Sequence, residues 1–489
     1  MISRLHQRFT KLQFIGFSIL LLLSIFIGIY TEFYLLAALV PFMLLVYVTI
    51  ADFRLIYYLL LAVIPLSIEV TLPGGFGTDL PTEPLMVGLM LVFFGFVISS
   101  PKKFDVNFLK HPLIFFLILH LIWLCVCVIY SSKLEVSIKF MLAKFWYVTT
   151  FCFVTSLAIQ NLNKFKIAFW GIMVTLTFTV IWTLIHHAKF GFSFASVNTM
   201  MEPFYRNHVN YAAILALMMP FVWAAIYWYK RGSFKNNLLR FLFLLFFVAI
   251  LLAYTRGAWL ALVACVGSYF LIKKKLLTYF LGLAAVGIFC FIGYMIHNNN
   301  YLKYAPNFQN TIYHENFEEH LVATTDLEDI SSAERVYRWV AAFHMFAKHP
   351  WVGVGPGNFY NFYKAHTVTS FQTYVSDNPE RSTVHNYFLL MLTEQGIIGL
   401  LLFIALTFAI FFYGQRIYHE TVDLQEKRWM MSVLLCMIAI YVQTFLSDLL
   451  EVDKIGSFFF MNLALLVVQD LRNKKLLNAG NQPGYIINK

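Results

Sequence analysis

The chain has 489 residues, of which 60% are hydrophobic and 12% are charged, and its mean hydropathy is +0.71. A soluble domain is about half apolar and about a quarter charged, so this composition excludes one. Apolar runs of about 20 residues recur, which is the length a helix needs to cross a bilayer. A transmembrane β-barrel would show short alternating segments instead. The sequence therefore predicts an all-α polytopic membrane protein.

The formal net charge of +11 raises the possibility of nucleic-acid binding. The basic residues, however, lie in short clusters between apolar segments, which is the pattern of topology signals. We therefore expect the lipid bilayer as a partner and no nucleic acid. The six cysteines fall in apolar segments, so neither a disulfide framework nor a metal cluster is expected. The first apolar run lacks an A-x-A-like cleavage site and predicts a membrane helix, not a signal peptide.

The apolar runs predict about twelve to fourteen membrane helices. Fourteen result if the first pair and the short pair around Arg256 are all counted. The predicted spans are 14–30, 34–50, 54–71, 84–100, 112–130, 140–160, 167–186, 209–229, 240–254, 257–272, 276–296, 385–413, 429–447 and 455–471.

Alternating these spans from a cytoplasmic N-terminus places most of the 36 Lys and Arg residues on the cytoplasmic side. This agrees with the positive-inside rule. Both termini are then cytoplasmic, and one long polar loop is extracytoplasmic. The sequence thus predicts N-terminal membrane helices over 1–297, the loop over 298–384, and C-terminal membrane helices with a cytoplasmic tail over 385–489.

The loop contains a predicted amphipathic helix. A capping box at Ser331–Glu334 opens it, and His349-Pro350 ends it, because a residue before proline resists the α conformation. The following turn, Gly353–Phe359, lacks the strand and helix of a dinucleotide-binding fingerprint. Two interpretations remain open: the turn brings backbone close to a ligand, or it packs the loop onto the bundle. The second is favoured.

Three basic residues are predicted at the outer membrane surface. His385 begins a helix, where the protonated form is disfavoured, and this suits a general base. Arg256 lies between two apolar segments, where a guanidinium is costly unless it is paired or faces a polar cavity. Arg206 precedes a predicted helix, and arginine is suited to binding phosphate because its guanidinium offers several N–H donors. The alternatives are a capping role for His385 and interfacial anchoring for the arginines.

Glu394 lies about nine residues into the helix that His385 begins, so about half a turn separates the two around the helix axis. We expect a structural hydrogen bond from it, beside Gly396 and Gly399, which allow close helix approach. No metal site is predicted, because the remaining candidates lack ligand spacing. These are Asp448, Glu451, Asp453 and the pair His186-His187.

The loop and the helix after it resemble the O-antigen ligase/polymerase family of bacterial envelope glycosyltransferases. The resemblance lies in Arg335–Phe359, with Trp339 and the glycine turn, and then in His385-Asn386 and Glu394–Leu400. Thr255-Arg256-Gly257 is similar to that family's arginine motif. The motifs cover about residues 200–405. The segment that starts at Arg206 departs from the family pattern of an arginine followed by a small residue and Pro-Asn.

The resemblance implies a GT-C-like enzyme of the bacterial inner membrane whose long loop is periplasmic. Such an enzyme transfers a glycan from an undecaprenyl-diphosphate carrier to an acceptor hydroxyl, without metal or other cofactor. Arg256 and Arg206 would bind the diphosphate, with Arg256 also catalytic, and His385 would deprotonate the acceptor. Arg338 and Arg381 would be further substrate-binding residues.

Several functions remain open. The acceptor would be lipid A-core for a ligase, a growing glycan for an O-antigen or exopolysaccharide polymerase, or a protein for an O-oligosaccharyltransferase. A transporter is a more distant alternative, and it predicts ionisable residues along a path through the midplane. Only Glu394 is predicted there, whereas Arg206, Arg256 and His385 are predicted at one surface, which favours surface chemistry.

Overall fold

The computed structural model describes residues 2–72, 76–304, 330–368, 371, 376–378 and 382–480. The α-helices are α1 (Ile2–Tyr30), α2 (Tyr34–Val63), α3 (Thr82–Ser99), α4 (Val106–Leu109), α5 (Pro112–Ile129), α6 (Leu134–Ala158), α7 (Leu162–Ala188), α8 (His208–Ile226), α9 (Phe234–Leu252), α10 (Arg256–Lys273), α11 (Leu277–Ile296), α12 (Ile330–Lys348), α13 (Phe359–Phe362), α14 (Tyr387–Glu420), α15 (Leu424–Leu446) and α16 (Asp453–Gly480). Strands β1 (Ile68–Leu72) and β2 (Phe76–Leu80) form an antiparallel hairpin.

Eleven helices within the described residues are long and apolar enough to cross a membrane, and a shorter apolar stretch covers Ile15–Tyr30. The predicted all-α polytopic fold is confirmed. The division of the chain at 297/298 and 384/385 stays a prediction.

The predicted spans 34–50 and 54–71 differ from the structure. They form one helix, α2, which is kinked at Asp52 (φ −158°, ψ 97°). This helix gives way to a 3₁₀ turn containing Pro65, and Ile68–Leu72 is a strand. The prediction that the second span runs to residue 71 is wrong. Proline lacks the N–H that a helix interior needs, and the alternating Ile-Glu-Val-Thr-Leu that follows favours a strand.

The bundle is centred on α8, α15 and α16. Most of the apolar stretch of each is buried within the protein, for example 89% of the most apolar window in Asp453–Asn478. By contrast, none of the corresponding window in Leu277–Lys303 is buried. A membrane helix exposes apolar residues to lipid at little cost, so α11 fits a span at the periphery of the bundle. The three central helices form its core.

Charged residues from distant segments meet at one end of the bundle, which we call the basic face. There the Asp470 carboxylate contacts His111 at 3.3 Å, Arg416 at 3.3 Å and Lys474 at 2.6 Å. Lys475 pairs with Asp105 at 3.2 Å. These segments share one side in the predicted alternation. The loop lies at the other end of α14, which we call the loop face.

Candidate functional site

The loop helix α12 ends at Lys348, one residue before His349-Pro350, as predicted. It begins at Ile330, one residue before the predicted capping box. Tyr337, Val340 and Ala341 are buried, so the apolar side of the helix packs onto the protein. The loop helix is therefore a docked part of the bundle's loop face.

His385 is the residue at which the loop turns into α14. Its backbone is left-handed (φ 54°), which is uncommon for a residue with a side chain. The helix begins at Tyr387, and Asn386 caps it, since the Asn386 Oδ1 accepts the Leu389 N–H at 3.0 Å. The predicted helix start at His385 is thus two residues early. A strained backbone at a candidate reactive residue is held only by surrounding contacts.

The His385 side chain is partly buried and lies near two arginines. Burial, together with the positive charges of Arg338 and Arg335, lowers the pKa of His385 to about 3, and burial is the larger cause. The imidazole is therefore neutral at physiological pH, the form in which a nitrogen can accept a proton.

Arg256 is the first residue of α10 and is partly buried. The preceding Thr255 donates its hydroxyl to the His208 main-chain carbonyl at 3.3 Å. His208 is the first residue of α8, and Arg206 lies exposed two residues before it. This contact places the starts of α8 and α10, with their arginines, beside each other.

The end of α15 connects this pair to His385. A Cβ added at Gly257 would lie 3.3 Å from Leu446 Cδ1, so α10 starts against the last residue of α15. At the same end of α15, Asn386 donates its side-chain amide to the Phe445 carbonyl at 3.0 Å. The structure therefore brings Arg206, Arg256 and His385 to one place on the loop face, around the end of α15.

Three helices, α8, α10 and α14, begin at this place. A helix N-terminus carries partial positive charge and free N–H groups, and both favour anions. Together with Arg206 and Arg256 these N-termini make an electropositive site at the loop-face end of α15. Such a site is suited to a phosphate or diphosphate group.

The glycine turn inserts into a break in α14. At Gly396 the backbone leaves the helix (φ 69°, ψ −170°), which frees carbonyls of the preceding turn. Val354 donates its N–H to the Thr393 carbonyl at 2.9 Å, and Gly355 donates to the Glu394 carbonyl at 3.0 Å. A Cβ at Gly396 would overlap the Trp351 carbonyl, so the break needs glycine. The turn is part of the membrane bundle.

The Glu394 carboxylate completes this junction. Its two oxygens accept the N–H groups of Gly357 at 2.8 Å and Phe359 at 2.9 Å, and the side chain is 2% exposed. The predicted structural hydrogen bond of Glu394 is confirmed. The favoured interpretation of the glycine turn, that it packs the loop onto the bundle, is confirmed as well.

Residues 241–404 match the family model described as O-antigen ligase. This region of the chain is similar to the O-antigen ligase family. The match covers about a third of the chain and includes Arg256, the loop helix, the glycine turn and His385, but it begins after Arg206. No curated protein matches the chain. The family supports an enzyme of glycan transfer in envelope polysaccharide synthesis.

The two further predicted substrate-binding residues have different outcomes. Arg338 is 5% exposed, and it contacts Glu334 and the Thr383 carbonyl. Arg381 lies outside the described residues. Their roles as substrate-binding residues stay predictions, as do those of Arg206, Arg256 and His385.

Sequence analysis missed a polar cluster two residues from His385. Tyr387 donates its hydroxyl to Glu451 Oε1 at 2.6 Å, and Lys144 Nζ donates to both Glu451 oxygens at 2.7 and 2.8 Å. Glu451 entered the sequence analysis only as a weak metal candidate. The missed signal was Lys144, a charge inside an apolar span, which is costly unless it is paired.

A second buried amine lies close to Arg206. Lys454 Nζ donates to the Phe204 carbonyl at 2.6 Å and to the Ser67 carbonyl at 2.7 Å. It also lies 5.0 Å from the centre of the Tyr205 ring. Lys454 therefore fixes the segment that leads into Arg206.

No metal centre is formed by the part of the chain that the structure describes, where no group of three His, Cys, Asp or Glu side chains is arranged to hold an ion. His186 and His187, adjacent in sequence, contact different carbonyls, those of Trp182 and Ser193.

Proposed function

We propose that the chain is an O-antigen ligase-type enzyme. It transfers a glycan from an undecaprenyl-diphosphate carrier to an acceptor hydroxyl at the periplasmic face of the bacterial inner membrane, and it needs no metal or other cofactor. The observation that carries this proposal is the convergence of Arg206, Arg256 and His385 with three helix N-termini around the end of α15. The family match supports the reaction class.

The proposed orientation rests on charge. The basic face holds Arg416, Lys474 and Lys475, and the positive-inside rule assigns such a face to the cytoplasm. The loop face is then periplasmic and both termini are cytoplasmic. The diphosphate of a lipid-linked donor would lie at the membrane surface, the level at which the arginines begin their helices.

In the proposed step, the acceptor oxygen forms a bond to the anomeric carbon of the donor glycan. The bond between that carbon and the phosphate oxygen breaks, and its electron pair leaves with undecaprenyl diphosphate. The acceptor proton passes to an imidazole nitrogen of His385. Arg206 and Arg256 stabilise the charge of the leaving diphosphate, which is the larger electrostatic contribution. The base contributes about 10²–10⁴-fold.

Because of the arginines near it, the pKa of His385 is expected to depend on whether the donor is bound. Without substrate, burial and the charges of Arg338 and Arg335 lower the pKa of His385 to about 3, which weakens it as a base. A bound diphosphate brings negative charge to the same place and offsets the arginines. The pKa of His385 is then expected to rise toward its ordinary value, so the base is strongest when the donor is present.

A polymerase or a protein O-oligosaccharyltransferase would use the same step with another acceptor. A transporter is less well supported, because Glu394, the carboxylate predicted at the midplane, is occupied by two main-chain N–H groups. An ionisable side chain fixed in this way is unsuited to carrying a substrate or a proton along a path.

The test is reconstitution of the purified protein with undecaprenyl-diphosphate-linked glycan. Lipid A-core, glycan and a hydroxyl-bearing protein are offered separately as acceptors, with and without a chelator. Wild type should release undecaprenyl diphosphate with one of them, equally well in the chelator, while His385→Ala and Arg256→Ala should lose at least about 10²-fold. Failure of wild type to consume the donor with every acceptor would overturn the proposal.

A further inference from the structure

We infer that Arg338 and Trp339 are positioning residues for His385, and that they act by holding the main-chain carbonyls of the two residues before it. This inference rests on the proposed function, since it assumes that His385 is the base. It gives Arg338 a role other than substrate binding.

Both residues of the pair contact the segment that leads into His385. Arg338 donates through one terminal nitrogen to the Thr383 carbonyl at 3.2 Å. Trp339 donates its indole N–H to the Val384 carbonyl at 3.1 Å. The two carbonyls immediately before His385 are therefore both fixed by neighbouring residues of the loop helix.

Arg338 is itself held in place by a buried ion pair. The second terminal nitrogen of Arg338 donates to Glu334 Oε2 at 3.3 Å, and Ser376 donates its hydroxyl to Glu334 Oε1 at 2.6 Å. Glu334 and Arg338 are 6% and 5% exposed. Because a guanidinium enclosed in this way presents little surface to a ligand, its described contacts fit a structural support.

The backbone of His385 has a conformation that these contacts are needed to maintain. A residue with a side chain is strained in the left-handed region and persists there only where its surroundings determine it. Asn386 fixes the residue after His385 through the Phe445 carbonyl. With Arg338 and Trp339 on the preceding side, the strained residue is held from both directions, so its imidazole keeps one position relative to the arginines.

Loss of this support should lower the chemical rate more than donor binding. A shift of about 1 Å in a catalytic group can cost about 10²-fold in rate. We expect Arg338→Gln and Trp339→Phe to lower kcat at least about 10-fold, with KM for the lipid-linked donor changed less than about 2-fold. The phenylalanine keeps the aromatic packing and removes only the N–H donor.

The deciding experiment is a double-mutant cycle with His385→Ala in the reconstituted donor-release assay. A residue that acts through His385 has no further effect once His385 is gone, so Arg338→Gln should leave the residual rate of His385→Ala unchanged. An additive loss, or a KM rising in step with the loss of kcat, would overturn the inference and show direct substrate binding. Arg231→Gln, at an exposed arginine, is the matched control and should behave as wild type.

The two proposals fail in different ways. An inactive wild type defeats the proposed function, whereas an active wild type with additive variants defeats only the positioning role. Thermal unfolding of each variant shows whether it folds. If Arg338→Gln does not fold, Trp339→Phe is taken through the same cycle and decides between the same two outcomes.

Discussion

Asn386 donates its side-chain amide to the Phe445 carbonyl at 3.0 Å and accepts the Leu389 N–H on its oxygen at 3.0 Å. One side chain therefore starts α14 and fastens it to the end of α15. Because Gly257 lies against the last residue of the same helix, this link places His385 and Arg256 at the same end of α15.

Asn386→Ser should separate the two roles of this side chain. Serine is a good N-cap, so α14 keeps its start, but its short hydroxyl cannot also reach Phe445. We expect a loss of at least about 10-fold in kcat, the cost of one buried hydrogen bond that aligns the base. Asn161→Ser is the control, since Asn161 caps α7 in the same way. Equal activity of both variants with wild type would contradict the alignment role.

The pH dependence should differ between free and donor-bound enzyme. The free-enzyme pKa of His385 is lowered to about 3, so the neutral base is present at all higher pH values. The profile of kcat/KM, which reports the free enzyme, should therefore show no acid limb from His385 between about pH 5 and pH 7, a range that includes the ordinary histidine value of about 6.5. The profile of kcat reports the donor complex, in which the pKa of His385 is expected to be higher. Its acid limb should therefore lie at a higher pH than the acid limb of kcat/KM.

Arg338→Gln should move the acid limb of kcat/KM upward, because it removes a positive charge that lowers the pKa of His385. A kcat/KM limb in wild type near about 6.5, the ordinary histidine value, would contradict the described surroundings of His385.

Gly353→Ala should undock the glycine turn. Gly353 has φ 68°, and a Cβ there would overlap the main chain of Thr393 and Glu394. We expect faster proteolysis of the loop and at least about 10-fold lower activity, since His385 follows the same loop. Gly282→Ala is the control, because a Cβ at Gly282 meets nothing within 4 Å. Unchanged proteolysis of Gly353→Ala would show that the turn does not depend on this contact.

The Lys144–Glu451 pair should be energetically coupled. Lys144→Met leaves Glu451 with Tyr387 alone in a mostly buried site, and we expect a loss of about 2–3 kcal/mol in unfolding free energy. Adding Glu451→Gln removes the uncompensated charge and should restore part of the stability. Unfolding midpoints of the single and double variants measure the coupling, and additive losses would show that the two side chains act independently.

Some of this architecture could be predicted from local sequence. The membrane spans follow from apolar runs, and the end of the loop helix follows from His349-Pro350. The conspicuous polar residues at the span boundaries, Arg256 and His385, are brought to one face by the simple alternation of spans. Each of these features depends on residues close together in the chain.

Other features depend on contacts between distant residues. The break of α14 at Gly396 exists because the Pro350 carbonyl and the N–H groups of the glycine turn take over its hydrogen bonds. Lys144 and Glu451 are 307 residues apart, and the local sequence around either residue does not indicate that the two side chains pair. Arg338 looked like a substrate ligand because its partner, the Thr383 carbonyl, is a main-chain atom that no sequence pattern marks.

The most direct test of the central claim is the release of undecaprenyl diphosphate from a lipid-linked glycan by reconstituted protein. Wild type, Arg256→Ala and His385→Ala are compared under one set of conditions, with Arg231→Ala as control. If the end of α15 is the reaction site, wild type and the control turn over and the two site variants fall at least about 10²-fold. Full activity of both Arg256→Ala and His385→Ala in folded protein would contradict it.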